Sequence, residues 1–207
     1  MARRRLPGEE RSRAIVSAAL GLFARGGFSG TTTRQIARAA GVSEALVFKH
    51  FPHKESLYRA ILKTKILDAE RALPLDTSLL ELSDEEFLFR IATHVMTRVD
   101  ADDAFCRLLL RSALDGHDLA RKFHKARVQK VLFLIERRIR RRYSRRGTKG
   151  TVDPALAARA FNGMILASML GRRIFLEPVV RRASIARLAR TQVRIFLRGI
   201  GPAREGA

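Results

Sequence analysis

The chain has 207 residues, 46% hydrophobic and 29% charged, a composition that suits one ordinary core or two small helical units and excludes a disordered chain. Lys and Arg outnumber Asp and Glu by 41 to 20, and the net charge of +21 favours polyanionic partners without specifying a fold. Cys106 is the only cysteine, which rules out an intrachain disulfide or a cysteine-based zinc site and fits a reducing cytoplasm.

Apolar residues recur at helical spacing along the chain, and no alternating strand run occurs. Arg3, Arg4 and Arg5 form a basic arm, which reads equally as a minor-groove arm or as a solvated tail. The arm and the apolar stretch 14–24 imitate a signal peptide, but Glu9, Glu10, Arg11 and Arg13 stand between them. In residues 9–26, Ile15, Ala18, Ala19, Leu22 and Phe23 share one face, and Gly26 and Gly27 end that helix. Short helices follow at 32–40 and 43–50, then a longer one at 54–73 that Pro74 stops. Residues 75–83 read as a connection, and helices continue at 84–99, 102–114 and 118–143. The last of these is expected to bury Leu119, Phe123, Val128, Val131, Leu132, Ile135 and Ile139, with most of its Arg and Lys on the other face. A loop at 147–150 leads to Asp153 and Pro154, a good N-cap and first-turn pair. The final helices cover 154–175 and 183–198, parted by Glu177 and Pro178. The fold class is all-α, with about nine helices. No segment reaches the ~18 apolar residues of a membrane span, so a soluble cytoplasmic protein without a membrane partner is expected.

Charge is unevenly placed. The net is +6 over residues 1–53, −4 over 54–118, +12 over 119–150 and +7 over 151–207. Basic character is therefore split between the two ends, and charge alone does not locate a DNA surface.

The segment from Thr32 to Phe48 locates one better. Thr32 and Gln35 form a T-x-x-Q capping box that starts a helix. Ile36 and Ala37 make its inward face, and Gly41 supplies the positive φ of a tight turn. Val42 fills the angle between the helices, Ser43 caps the second helix and Val47 points inward from it. Together these make a helix-turn-helix, whose second helix can enter the major groove with its N-terminal residues at base edges.

The stretch from Phe28 to Leu57, FSGTTTRQIARAAGVSEALVFKHFPHKESL, resembles the DNA-binding signature of the TetR family of bacterial repressors. The Thr pair, Ile36 and Ala37, the run Gly41, Val42 and Ser43, the run Phe48, Lys49, His50 and Phe51, and the start of the next helix at Lys54 and Glu55 all match. The resemblance implies an N-terminal three-helix helix-turn-helix domain at 1–53 and a helical effector-binding and dimerisation domain at 54–207. Ala45 and Leu46 stand where the family often has Gly and Thr, and Phe48 stands where Tyr is common. Both departures point to apolar contact with thymine methyl groups in place of hydrogen bonds. Thr31, Thr32, His50 and Lys54 are candidates for phosphate contacts, aided by helix N-terminal amides. Glu44, Ala45, Leu46 and Lys49 are candidates for reading bases. Arg34 suits either purpose, and the cap Ser43 and Phe48 complete the DNA-binding set.

The last two helices, about 154–175 and 183–198, are the candidate homodimer interface. Ala160, Gly163, Ala167 and Gly171 form a small-residue stripe in the first. Ile185, Leu188, Ala189, Val193, Phe196 and Ile200 form an apolar stripe in the second. The resemblance implies a four-helix dimer bundle there, although both stripes also read as intrachain core. Candidates for an effector pocket are His94, Phe105, Leu109, Phe133, Phe161, Asn162 and Ile165. His94 and Asn162 are the notable ones, as polar groups in apolar helical stretches that need a partner. His117 is expected to act as a cap.

No phosphate-binding glycine loop, nucleophile elbow, HExxH helix or paired metal-ligand cluster occurs, so no catalytic residue, metal or cofactor is expected. The leading expectation is a regulator that binds a double-stranded palindromic operator as a homodimer and is released by a small-molecule effector of unknown identity. The alternative is a basic helical protein that binds nucleic acid without sequence preference.

Overall fold

A computed structural model describes residues 8–74, 78–145 and 152–201. Among these residues the regular structure is entirely helical: α1 (Gly8–Gly26), α2 (Thr33–Ala40), α3 (Glu44–His50), α4 (Lys54–Ala72), α5 (Ser78–Glu81), α6 (Asp84–Ala101), α7 (Asp103–Leu114), α8 (Asp118–Phe123), α9 (Gln129–Arg145), α10 (Pro154–Arg173), α11 (Pro178–Arg182) and α12 (Ile185–Gly199). A π-turn, His124–Val128, joins α8 to α9, so the long helix expected there is present with one wide turn inside it. The expected helices are all found among the described residues, and α5 and α11 add single turns where connections were expected. The arm at Arg3, Arg4 and Arg5 and the loop at 147–150 lie outside the described residues.

Caps fix several of these starts. Ser83 and Glu86 form a capping box at α6, and Asp153 accepts from the amides of Ala155 and Leu156 at α10, with Pro154 in the first turn.

The chain divides into two compact units, residues 1–69 with 103–124 and residues 70–102 with 125–207. The first unit takes in more chain than a boundary at residue 53 would give. Its core needs Leu57, Tyr58 and Ile61 from α4, Leu108 from α7 and Leu119 from α8, beside Ile15, Phe23, Ile36 and Val47. Helices of seven and eight residues such as α3 and α2 do not persist alone in water. Full burial contributes about 1.5–3 kcal/mol for each large apolar side chain, so packing holds these helices rather than propensity.

In the second unit the core is built from Phe87, Ile91 and Met96 of α6 and Ile135 and Ile139 of α9. Phe161, Ile165 and Met169 of α10 and Val193 and Phe196 of α12 complete it. Two of its arginines are buried, against the expectation that the basic residues of the long helix face solvent. Arg127, 5% exposed, donates to the carbonyl of Leu73 at 2.8 Å. Arg138, 6% exposed, donates to the carbonyls of Leu79 (2.7 Å) and Leu82 (2.9 Å) and lies 4.7 Å from the Phe87 ring centroid. The guanidinium of Arg138 is also 3.6 Å from Asp84, and that of Arg142 donates to Asp84 at 2.9 Å. These donors satisfy the carbonyls of Leu73, Leu79 and Leu82, which lie between the end of α4 and the start of α6.

Candidate nucleic-acid interface and cavity

The helix-turn-helix is built as its residues require. The Thr32 hydroxyl accepts from the Gln35 amide at 3.2 Å, and the Gln35 carboxamide accepts from the Thr32 amide at 2.8 Å, which completes the capping box. Gly41 sits at φ 67°, where a Cβ would be strained, and its amide closes the turn onto Ala37 and Arg38. The Ser43 hydroxyl accepts from the Leu46 amide at 3.2 Å. Val47 is fully buried, which sets the rotation of α3 about its axis.

That rotation leaves Ala45, Phe48 and Lys49 exposed, three residues at helical spacing on one face. Phe48 is 46% exposed, a large apolar side chain with no place in the core. Arg34, Arg38, Thr32 and Ser43 are exposed as well, while Leu46 and His50 are half-buried. The exposed cations and the apolar Ala45 and Phe48 suit a surface that holds phosphates and touches base edges.

Three candidates have a different position from the one expected. Thr31 is 2% exposed, and its hydroxyl donates to the Gly27 carbonyl at 2.9 Å, so it braces the turn after α1 and does not present a hydroxyl to DNA. The Lys54 ammonium donates to the carbonyls of Phe28 (2.6 Å) and Thr31 (2.9 Å) and stands 4.4 Å from the Phe28 ring centroid. It locks the same turn from the other side. Glu44 accepts from the Thr33 hydroxyl at 2.5 Å, which ties the start of α3 to the start of α2. Sequence reasoning missed Thr33, because a contact across eleven residues has no local signature.

His117 takes the N-cap position of α8 without a side-chain cap bond. Its ring packs 4.5 Å from Tyr58 and 4.9 Å from Phe28. Burial, with the Asp115 carboxylate adding to it, pushes the Tyr58 phenol up to about 12.

The pocket candidates do not assemble as expected. Phe105 and Leu109 belong to the first unit and pack against its core, with Phe105 edge-on to Phe123 at 5.1 Å. In the second unit Phe161 and Ile165 are core, and Phe161 meets Phe196 at 4.9 Å. Phe133 is 62% exposed and lines nothing internal, and Asn162 is half-buried on α10. Of these, His94 lines a cavity of about 740 Å³. Leu73, Leu79, Arg90, Thr93, Thr97 and Arg98 share its wall. Burial first, then the charges of Arg127 and Arg98, hold the His94 imidazole down to about 4, so it is neutral at pH 7. Among the described residues no group of three or more His, Cys, Asp or Glu is placed to hold a metal ion, and no helix is long and apolar enough to cross a membrane.

The interface candidates are also redistributed. Ala160, Gly163 and Ala167 face outward on α10, whereas Gly171 is buried, where a Cβ would meet the Glu177 carboxylate at 3.1–3.2 Å. Ala189, Val193, Phe196 and Ile200 are intrachain core, and Ile185 and Leu188 pack against it, so that stripe is not presented to a partner. Leu156 and Leu166 of α10 and Ile195 of α12 are the exposed apolar side chains on those helices.

Comparison with known proteins agrees with this architecture. Residues 15–61 match the family described as bacterial regulatory proteins, tetR family, and residues 86–201 match the C-terminal domain of AefR-like transcriptional repressors. The HTH-type transcriptional regulator RutR of Escherichia coli K12 is 50% identical over 58 residues, and the match spans 28% of this chain and only 27% of RutR. The HTH-type transcriptional repressor Rv3405c of Mycobacterium tuberculosis H37Rv is 32% identical over 184 residues, 88% of this chain and 82% of that protein. AibR, solved in complex with isovaleryl coenzyme A and operator DNA, superposes with a TM-score of 0.68 at 24% identity, over 89% of this chain and 97% of that one. At that identity the likeness speaks for the fold alone.

Proposed function

The chain belongs to the TetR family of bacterial regulatory proteins, and we propose that it is a ligand-responsive repressor that binds a palindromic operator as a homodimer in the cytoplasm. Family membership makes it a DNA-binding transcriptional regulator and not an enzyme. One observation carries the reading furthest: α3, capped by Ser43 and anchored by Val47, presents Ala45, Phe48 and Lys49 together to solvent.

In this reading Ala45, Leu46 and Phe48 touch thymine methyl groups and Lys49 reaches a guanine. Thr32, Arg34 and His50 bind phosphates, with the α3 amides beside Ser43 assisting. Glu44, held by Thr33, positions α3. Leu156, Gly163, Leu166 and Ala167 fall on one side of α10, away from their own core, and Ile195 adds to the apolar surface of α12. An added Cβ at Gly163 meets nothing within 4 Å, so the glycine leaves room for the close approach of a second copy. Effector binding in the cavity beside His94 favours a form of the dimer with lower operator affinity. AibR, solved with isovaleryl coenzyme A and operator DNA, supports a small-molecule site and a DNA site in one chain of this fold.

Selection of bound sequences from a random DNA pool tests the proposal. The expected result is a two-fold symmetric site with half-sites about one helical turn apart. A selected site without symmetry, or a stable monomer at micromolar concentration, counts against it. Binding with steep salt dependence and no sequence preference would favour a general basic nucleic-acid binder instead.

A further inference from the structure

The cavity of the second unit is lined by basic, hydroxyl and apolar side chains. One wall is a single face of α6, where Arg90, Thr93, His94, Thr97 and Arg98 recur at three- and four-residue intervals. At ~1.5 Å rise per residue, Arg90 and Arg98 stand about 12 Å apart along the axis, with the two threonines and His94 between them. The rest of the lining includes Ala72, Leu73, Pro74 and Leu79, which are apolar. The carbonyls of Leu73 and Leu79 are gripped by the buried Arg127 and Arg138, so that part of the wall is held in place.

The guanidinium groups of Arg90 and Arg98 differ from the buried and half-buried arginines that brace this unit. Arg127, Arg138, Arg142, Arg172 and Arg173 are held by carbonyls or carboxylates of their own chain. Among the described residues, the side chains of Arg90 and Arg98 make no hydrogen bond or salt bridge. The Thr93 hydroxyl donates to the Phe89 carbonyl at 2.7 Å and so offers the cavity lone pairs only. Burial first, and then the Arg127 and Arg98 charges, keep the His94 imidazole neutral, and the two charges add positive potential at this wall. Asp102 is the one carboxylate of the lining among the described residues, and it stands ~6 Å further along the axis than Arg98, at the C-cap of α6.

We propose that this cavity binds an amphiphilic anion, its carboxylate or phosphate head held by Arg98 with Arg90 in support and its apolar body against Leu73, Pro74 and Leu79. The volume of about 740 Å³ lies within the range of small-molecule sites. The assignment rests on the reading that the chain is ligand-responsive, and it names the chemical class of the effector. A guanidinium pairs with a carboxylate or phosphate through two parallel hydrogen bonds, whereas an ammonium at the same place meets only repulsion.

Isothermal titration calorimetry of the full chain with four matched probes tests this: decanoate, decyl phosphate, decanol and decylamine. Both anions are expected to bind, and the tighter of the two identifies the head group. Decanol is expected to bind at least about tenfold more weakly, and decylamine not at all. Arg98→Gln should weaken the anions by about tenfold or more, and Arg98→Lys should restore part of the loss, with helix content by circular dichroism unchanged in both. Equal affinity for decanol or decylamine, anion affinity unchanged in Arg98→Gln, or no anion binding at millimolar concentration overturns the proposal. Operator affinity, measured in parallel by fluorescence anisotropy, separates the two readings. Anion binding that leaves operator affinity unchanged overturns ligand-responsiveness and keeps the cavity assignment. A symmetric operator without anion binding overturns the ligand class alone.

Discussion

Phe48 is the residue at which fold and function separate most cleanly. Its neighbour Val47 is fully buried and holds α3 in the core, while Phe48 projects from the other side of the same turn, 46% exposed. Leaving a large aromatic in water forgoes burial worth ~1.5–3 kcal/mol, so the position serves something other than stability of the free chain. Phe48→Ala is therefore expected to leave the denaturation midpoint within ~0.5 kcal/mol of the parent, as surface substitutions do. Operator affinity should fall about tenfold, because an apolar contact with a thymine methyl is lost and no hydrogen bond replaces it. Fluorescence anisotropy on the selected operator, with chemical denaturation of the same samples, checks both halves. A stability loss equal to the affinity loss would show that Phe48 is part of the fold. Thr31 and Lys54 show the opposite division: polar side chains at the edge of the same surface whose hydrogen bonds all go to the turn around Phe28.

At the scale of the element, the long helix running from α8 to α9 carries the clearest energetic test. Arg138 brings a charge to 6% exposure, an unfavourable placement unless partners replace its water. The carbonyls of Leu79 and Leu82, the Asp84 carboxylate and the Phe87 ring are those partners. Arg138→Leu keeps much of the side chain's bulk and strands the carbonyls of Leu79 and Leu82, while Asp84 keeps its bond to Arg142. It should cost about 2–5 kcal/mol in chemical denaturation, at ~1–3 kcal/mol for each carbonyl left unpaired. It should also weaken binding in the cavity, one wall of which is Leu79. A loss below ~1 kcal/mol would mean that the connection holds its shape without the guanidinium. This arrangement also marks how much the sequence discloses. The capping box at Thr32, the turn at Gly41 and the cap at Ser43 are legible because each is a local bond within a few residues. The clamp is not legible, since Arg138 and the carbonyl of Leu79 lie 59 residues apart and a periodic pattern shows only that a helix has an inner face. Arg127, buried within the π-turn at His124–Val128, stands at i and i+4 spacing with the buried Val131, yet its charge gave no sign of that burial in the sequence. Apolar spacing likewise nominated Phe133 and Phe161 alike, and only the packing separates the exposed ring from the core one.

At the scale of the whole molecule, the charge of +21 sets two associations against each other. DNA binding gains from it, because cations that neutralise phosphates release counterions, and the affinity falls steeply as salt rises. Self-association pays for it, because two copies of the chain bring like charges together. The proposed dimer face on α10 is apolar or small at Leu156, Gly163, Leu166 and Ala167, while Arg187, Arg190 and Arg194 line the outer side of α12. No carboxylate on either helix is placed to offset those arginines among the described residues, so hydrophobic contact must overcome the repulsion unaided. Salt screens the repulsion over a Debye length that shrinks from tens of ångströms in dilute buffer to ~3 Å at 1 M, and it leaves apolar contact intact or strengthens it. Between about 50 mM and about 500 mM salt, the dimer is therefore expected to tighten by sedimentation equilibrium while the operator complex weakens by anisotropy. Leu166→Glu should shift the first equilibrium toward monomer at every salt concentration, because it places a charge in the centre of the apolar face. A dimer that loosens as salt is raised would mean that ion pairs hold the interface and that the apolar face of α10 has another use.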